Sequence, residues 1–299
     1  MTTLFRFRAN GGFHKLLHRS YATSSASSVS LIRDLRRQTS APISLVKEAL
    51  LASENNVSEA ITYIHRNTPK SKVHRSTPEG LIGVLRHLKR PLVAVTYLGC
   101  ETDFVARTPQ FASLLSKITS HVVENITQQQ LPVPITKVGD AERVVEDSRL
   151  EEDFRNAKTA LGENVKLVKA ALVGVPMGRK GVVARYVHGT RGDGIGGRIG
   201  VAVVLESEFD TMELTLLGEK IAMHIAAMAP KQVHRAAREK GDLSVGDMED
   251  KGEALMEQEM IGLEGEGEIS VGDYLKKWET ERDAKVEIPA FVRYAVGEE

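Results

Sequence analysis

With 299 residues, 41% of them hydrophobic, the chain has the length for about two domains with cores of their own. Lys plus Arg and Asp plus Glu both total 40, so no global field draws the protein onto nucleic acid or an acidic membrane, which leaves room only for a local basic patch. The one cysteine, Cys100, excludes an intrachain disulfide and a cysteine-based zinc cluster, and no run reaches the roughly 18–20 apolar residues that cross a bilayer, so a soluble mature protein in a reducing compartment is expected.

The first residues differ from the rest. No acid precedes Asp34, while Arg6, Arg8, Lys15 and Arg19 are interleaved with Phe5, Phe7, Phe13, Leu16 and Leu17, and a Ser/Thr/Ala run follows over 22–30. This composition predicts a mitochondrial transit peptide over 1–30, cleaved after Tyr21, and hence a matrix location. A disordered basic arm would not explain the complete absence of acids.

Residues 31–68 read as three short helices. Leu31, Ile32 and Leu35 share a face of the first, which breaks at Thr39-Ser40-Ala41-Pro42 because proline lacks a backbone donor and fixes φ. Ser44 is the expected cap of the second, with Leu45, Ala49 and Leu50 on its apolar side. Asn55-Asn56 is a turn, and the third helix starts near Ser58 with Ala60, Ile61 and Ile64 at helical spacing. A polar linker follows over 69–79.

From Gly80 the period changes. Residues 81–85 and 92–98 form a predicted hairpin around Lys89-Arg90-Pro91, followed by a helix over 109–125 with Phe111, Leu114, Leu115, Ile118 and Val122 on one face. Residues 80–140 are assigned to a first lobe. A charged helix over 141–161, a second hairpin over 181–187 and 200–205, and a helix carrying Leu214, Leu217, Ile221 and Ile225 are assigned to a second lobe, 141–230. Lys117-Ile118-Thr119-Ser120-His121-Val122 matches Lys220-Ile221-Ala222-Met223-His224-Ile225, which points to a duplicated hairpin-plus-helix unit. Residues 231–268 are glycine-punctuated and read as a poor core element. Within a C-terminal module, 269–299, a short helix is expected over 271–279 and a strand over 291–296. The fold class is α+β.

Few of the chemical motifs hold up. Gly192-Asp193-Gly194-Ile195-Gly196-Gly197 fits a dinucleotide pattern, but that mechanism needs a helix afterwards and a strand is expected from Arg198, so the segment reads as a hairpin loop. Arg191-Gly192-Asp193 is an equally weak adhesion signal. No phosphate-loop pattern, zinc-protease spacing or assignable catalytic triad occurs. His121 and His224 fall at equivalent repeat positions, where packing is the commoner reason for a histidine. Cys100-Glu101-Thr102-Asp103-Phe104-Val105-Ala106-Arg107 is a connecting loop between hairpin and helix. Spacing leaves two readings of it open: Phe104 is an exposed anchor for a partner, or it tucks into the core while Asp103 caps the helix.

Several segments in order resemble the elongation factor Ts family. Residues 31–39 and 46–50 resemble its ubiquitin-associated-like N-terminal domain. Glu79-Gly80-Leu81-Ile82-Gly83 and residues 100–107 resemble its first core lobe. Leu161-Gly162-Glu163-Asn164, Val187-His188-Gly189, Arg198-Ile199-Gly200-Val201 and residues 221–227 resemble its second lobe, and Phe291-Val292-Arg293-Tyr294 resembles its last strand. The resemblance implies a small three-helix domain followed by a duplicated core. It implies a non-enzymatic guanine nucleotide exchange factor of protein biosynthesis that binds elongation factor Tu and promotes GDP release. It implies no cofactor, no direct nucleotide binding, and no nucleic acid or membrane partner. Carried over residue by residue, Thr102, Asp103, Phe104 and Val105 would dislocate the partner's Mg2+, Phe104 acting as a wedge. His188 would lie at a second contact, and Ile43 and Val46 would touch the nucleotide-binding domain.

Three departures stand out. Ala41-Pro42-Ile43-Ser44 replaces the usual Gly and Met, and the loop over 189–197 is longer than usual. Residues 231–268 are too short for the bacterial coiled-coil arm, which is similar to mitochondrial members. Other classes read from the sequence are an adaptor built on the three-helix peptide-binding module and an RNA binder using Lys70, Lys72, His74 and Arg75.

Overall fold

The computed structural model describes residues 25–67, 76–125, 148–190, 194–208, 212–234, 253–262 and 269–298. The transit segment before residue 25 and the basic stretch at 70–75 lie outside them. The chain divides after Ile64 into two compact units.

The first unit is helical. It contains α1 (Ser25–Thr39) and α2 (Ile43–Ala52), and α3 (Val57–Asn67) begins within it. Residues 25–30 belong to α1, so helix starts ahead of the boundary expected at 30. The core is Leu35, Ala41, Val46, Ala49, Leu50, Ala60 and Ile64. Ser40 ends α1 at φ 55°, and its N–H donates to the Arg36 carbonyl at 2.8 Å. Ser44 is not the cap of α2: the flanking residue is Pro42, whose carbonyl accepts from Val46 N–H at 3.1 Å, so the helix starts one residue ahead of Ser44. Asn56 caps α3 reciprocally with Glu59, accepting from its N–H at 3.3 Å and donating to its carboxylate at 3.2 Å.

The second unit runs β1 (Glu79–Arg86), β2 (Leu92–Cys100), α4 (Asp103–Ala106), α5 (Pro109–Asn125), α6 (Ser148–Leu161), β3 (Val165–Gly174), β4 (Gly181–His188), β5 (Gly196–Gly197), β6 (Ile199–Ser207), α7 (Met212–Met228), α8 (Val271–Arg282) and β7 (Val286–Ala295). One antiparallel sheet has the order β3-β2-β1-β5, the other β4-β6-β7. Strand side chains alternate between faces. Ile82, Val84, Val93, Val95, Ala171 and Val173 therefore meet Val183, Ala202, Val204 and Val292 between the sheets. The opposite faces carry helices. Leu81, Ala94 and Leu98 pack with Phe111, Leu115 and Ile118 of α5 and Phe154 of α6. Val182, Val203 and Leu205 pack with Leu214, Leu217, Ile221 and Ile225 of α7 and Leu275 of α8. The result is helix, sheet, sheet, helix.

Backbone geometry supports the duplication. Gly80 and Gly181 open the two hairpins at φ 153° and 151°, and a Cβ there would lie 2.1 Å and 2.2 Å from the carbonyl oxygens of Leu98 and Leu205. Both copies therefore exclude a side chain at the same point, for the same reason.

Two assignments differ from the sequence expectation. Residues 148–174, placed with the second lobe, belong to the first sheet and its core, because β3 bonds along β2 from Leu92↔Gly174 to Cys100↔Val165. The segment 253–262 is more than a poor core element: Ala254 and Leu255 are fully buried and Met260 joins the second core.

His224 pins that segment to α7. Ile261 N–H donates to Nδ1 at 3.3 Å, so Nε2 carries the proton and faces Gln258 Oε1 at 3.0 Å. Burial lowers the imidazole below its ordinary value of 6.5, although the Gln258 bond opposes this. The unfolded chain then binds the proton more readily than the native protein. Stability from this group is present above about pH 6.5 and is lost as pH falls through the lowered native value. Thermal unfolding between about pH 8 and pH 5 is expected to fall more steeply in the wild type than in His224→Gln. Equal slopes would remove the imidazole as the source.

Candidate functional site

The segment after β2 is a single helical turn with a defined inside and outside. Thr102 is the N-cap of α4, and its Oγ1 accepts from Val105 N–H at 3.4 Å. Val105 and Ala106 turn inward and are buried with Phe111 and Leu115. With the inner side filled by these two, Phe104 points out and is 78% exposed. Of the two readings left open by spacing, the exposed one is observed; the cap considered for Asp103 on the following helix falls to Thr108, and Thr102 caps the additional turn α4. Asp103 instead pairs with Arg107 at 2.6 Å. Both groups are largely in solvent, so the pair contributes little stability. Thr108 Oγ1 accepts from Phe111 N–H at 3.2 Å and starts α5 directly behind the turn.

A brace from the connection between α6 and β3 holds the turn. Thr102 donates twice to Glu163, from its N–H to Oε2 at 3.1 Å and from its hydroxyl to Oε1 at 2.6 Å. Asn164 N–H donates to Glu101 Oε1 at 3.0 Å. Adjacent residues thus exchange bonds across a sequence separation of 61 to 63. Cys100 Sγ–H donates to the Thr102 carbonyl at 3.1 Å, and burial, with the Glu163 carboxylate nearby, pushes its thiol up to about 12. Cys100 is therefore a packing residue, since the thiolate needed for reactivity is not formed at neutral pH. Replacing Glu163 with alanine leaves two half-buried donors unpaired and is expected to cost about 1.5–3 kcal/mol in urea unfolding. Retention of full stability would show that the brace carries no weight.

The turn opens onto linked depressions. A groove of about 540 Å3 is lined by Leu81, Ala106, Pro109, Leu115 and Ile195, with Arg107 and Lys117 among its polar residues. A smaller, charged hollow of about 160 Å3 shares Leu81, Ala106 and Arg107 with it and adds Glu79, Asp103 and Arg198. A third, of about 640 Å3, holds Arg198 and His188. Arg198 therefore joins the Phe104 turn to His188. Its guanidinium donates to Glu79 at 3.0 Å and its N–H donates to the His188 carbonyl at 2.8 Å. His188 is the exposed last residue of β4, its ring 6.5 Å from that of Tyr186.

The structure thus brings Thr102, Asp103, Phe104 and His188 to one face of the second unit, whereas Val105 is buried beneath the turn among Phe111 and Leu115 and offers a partner no surface of its own. Ile43 and Val46 lie in the first unit, where Ile43 is exposed but Val46 is fully buried. Val46 offers no surface to a partner; it packs among Leu35, Ala49 and Ile64 and holds α2 in place. Glu163 and Arg198 were not singled out from the sequence. Both sit in quoted motifs, yet no spacing signal connects Glu163 to Thr102. The glycine pattern at 192–197 leads into β5 and β6 rather than a helix, so it lacks the helix N-terminus that a pyrophosphate needs; its residues 192 and 193 lie outside the described residues.

The family model for elongation factor Ts matches residues 101–244, beginning at Glu101 and taking in the Phe104 turn, Glu163, His188 and Arg198. The chain is 31% identical to elongation factor Ts of Rhodopseudomonas palustris (strain BisA53) over 90% of its length and 91% of the relative's. The chain belongs to the elongation factor Ts family. Elongation factor Ts of Bradyrhizobium diazoefficiens is 33% identical over 90% of this chain and 91% of its own. A mitochondrial elongation factor Ts, from Nematostella vectensis, is 29% identical over 90% of this chain and 98% of its own. In this translation elongation factor of the Ts family, the segment Thr102-Asp103-Phe104-Val105 forms the braced turn.

Proposed function

We propose that this chain is a guanine nucleotide exchange factor of the mitochondrial matrix, which binds elongation factor Tu and expels its GDP. The observation that carries the reading is Phe104, a large apolar side chain held out in water on a turn whose backbone is tied down. An exposed aromatic ring gains most by entering a partner's pocket. Because Glu163 fixes Thr102, the ring can push without the turn yielding. A GTPase holds GDP through a phosphate-cradling loop and Mg2+, a site built on close coordination distances. Small displacements of the groups that hold the metal would therefore weaken it strongly.

Asp103 supplies a carboxylate at the foot of the wedge, and His188 contacts the partner on the far side of Arg198. Ile43 adds a contact from the helical unit. No bond is made or broken by the chain, so the proposal assigns it no enzymatic activity and no cofactor. The matrix location rests on the acid-free, arginine-rich start of the sequence and on the likeness to a mitochondrial relative.

Linkage provides the test. A protein that lowers GDP affinity by some factor must itself bind the nucleotide-free GTPase more tightly by the same factor. Gel filtration with nucleotide-free mitochondrial elongation factor Tu is expected to yield a complex that excess GDP dissolves. Tighter association with the GDP-bound form would overturn the reading.

A further inference from the structure

The turn joining β1 to β2 lies outside the exchange face and has its own construction. His87 Nδ1 accepts two backbone N–H groups, from Lys89 at 3.0 Å and Arg90 at 3.1 Å. His87 N–H donates to the Leu92 carbonyl at 2.9 Å. These bonds fix the turn and raise Leu88 at its apex, 98% exposed. Arg86, Lys89 and Arg90 surround it in solvent, and among the described residues none of the three is in an ion pair.

The connection between β3 and β4 emerges beside this turn, since Leu92 pairs with Gly174 and Val175 N–H donates to the Pro91 carbonyl at 3.1 Å. It presents Met177, 83% exposed, then Arg179 and Lys180. Arg179 is paired with Glu206, and Glu287 lies close to it, so the uncompensated charge is that of the first turn. This end is remote from Phe104. β1 runs from Glu79, paired with Cys100 beside the α4 turn, to Arg86 at the tip. That is a separation of roughly 20–25 Å.

We propose that this end of the sandwich is a peripheral docking surface for an anionic lipid bilayer. Leu88 and Met177 enter the interface, while Arg86, Lys89 and Arg90 reach the lipid phosphates. Apolar insertion and basic attraction are each weak alone, and stable surface attachment takes both signals. The turn is already ordered by His87, so docking freezes little chain. Zero net charge over the chain conceals this local excess. A nucleic acid fits less well: neither connection has a Phe, Tyr or Trp to stack on a base, the His87 ring is committed to holding the turn, and a phosphate backbone has no use for the two apolar side chains. With its tip on a bilayer the protein keeps the Phe104 face free.

Flotation of the whole chain with vesicles tests this. It is expected to float with phosphatidylcholine vesicles containing about one third phosphatidylserine and not with phosphatidylcholine alone. Leu88→Ser with Met177→Ser should cut the bound fraction about tenfold, and Lys89→Glu with Arg90→Glu should abolish it, with circular dichroism and GDP-release activity unchanged in both. Absence of flotation, or flotation unaffected by the Leu88 and Met177 pair, would overturn the proposal. So would preferential binding to an RNA oligomer that depends on Lys89 and Arg90 but not on Leu88.

Discussion

Phe104→Ala is expected to leave thermal unfolding unchanged while slowing factor-dependent GDP release from elongation factor Tu about 30-fold. The two halves of this result have separate physical origins. The ring is 78% exposed and makes little packing in the free protein, so its removal should move stability by no more than about 0.5 kcal/mol. Its value lies in the complex, where a central aromatic anchor is worth about 2 kcal/mol or more, which is the stated factor in rate if the anchor acts in the step that expels GDP. Stopped-flow fluorescence with labelled GDP reads the rate, and calorimetry reads the fold. A normal exchange rate in a well-folded variant would remove Phe104 from the mechanism.

Phe111→Ala is expected to show the reverse. This residue, in the first turn of α5, is fully buried against Leu81, Leu98 and Val105. Truncation costs about 3–5 kcal/mol, the lost transfer energy plus the cavity left behind. That is a large share of the roughly 5–15 kcal/mol available to a folded protein, and the midpoint should fall on the order of 10 °C. Below that midpoint the Phe104 turn is still capped by Thr102 and tied to Glu163, so exchange per folded molecule should change only by a small factor. An unchanged midpoint would show that the α5 packing has been misread. Two phenylalanines on consecutive helical turns, read by the same pair of measurements, thus separate folding from function.

The difference between these two residues was only half legible in the sequence. Phe111 lies at helical spacing with Leu114, Leu115 and Ile118, and that periodicity already implies a buried face. Phe104 sits in a turn too short to have a period. Its exposure follows from Val105 and Ala106 filling the inner side, which depends on tertiary contacts. The two hairpins and their helices were readable because alternation and helical period changed cleanly along the chain. β3 was missed, although Val165, Leu167 and Ala170–Val173 are apolar. Its residues are buried from both sides near the Gly174 end, which blurs alternation, and its pairing to β2 is long-range.

The brace was hidden for a similar reason. Nothing local marks Glu163 as a partner of Thr102, because the bond is made by the folding of α6 back onto the first sheet. Val46 shows the opposite failure. The apolar side of α2 expected from the sequence is Leu45, Ala49 and Leu50, which leaves Val46 out. Yet Val46 is fully buried beside Ala49 and Leu50 while Leu45 is only partly so, and the family likeness assigned Val46 a contact it has no surface to make. Ser44 fell to a detail of backbone geometry, since Pro42 can start a helix without losing a donor it never had.

The most direct test of the account is the rate of labelled-GDP release from mitochondrial elongation factor Tu as this chain is added in increasing amounts, with excess unlabelled nucleotide present. The account predicts a release rate that climbs with chain concentration and then saturates as the ternary complex fills. A rate that stays at its spontaneous value at every concentration, from a chain shown to be folded, would contradict it.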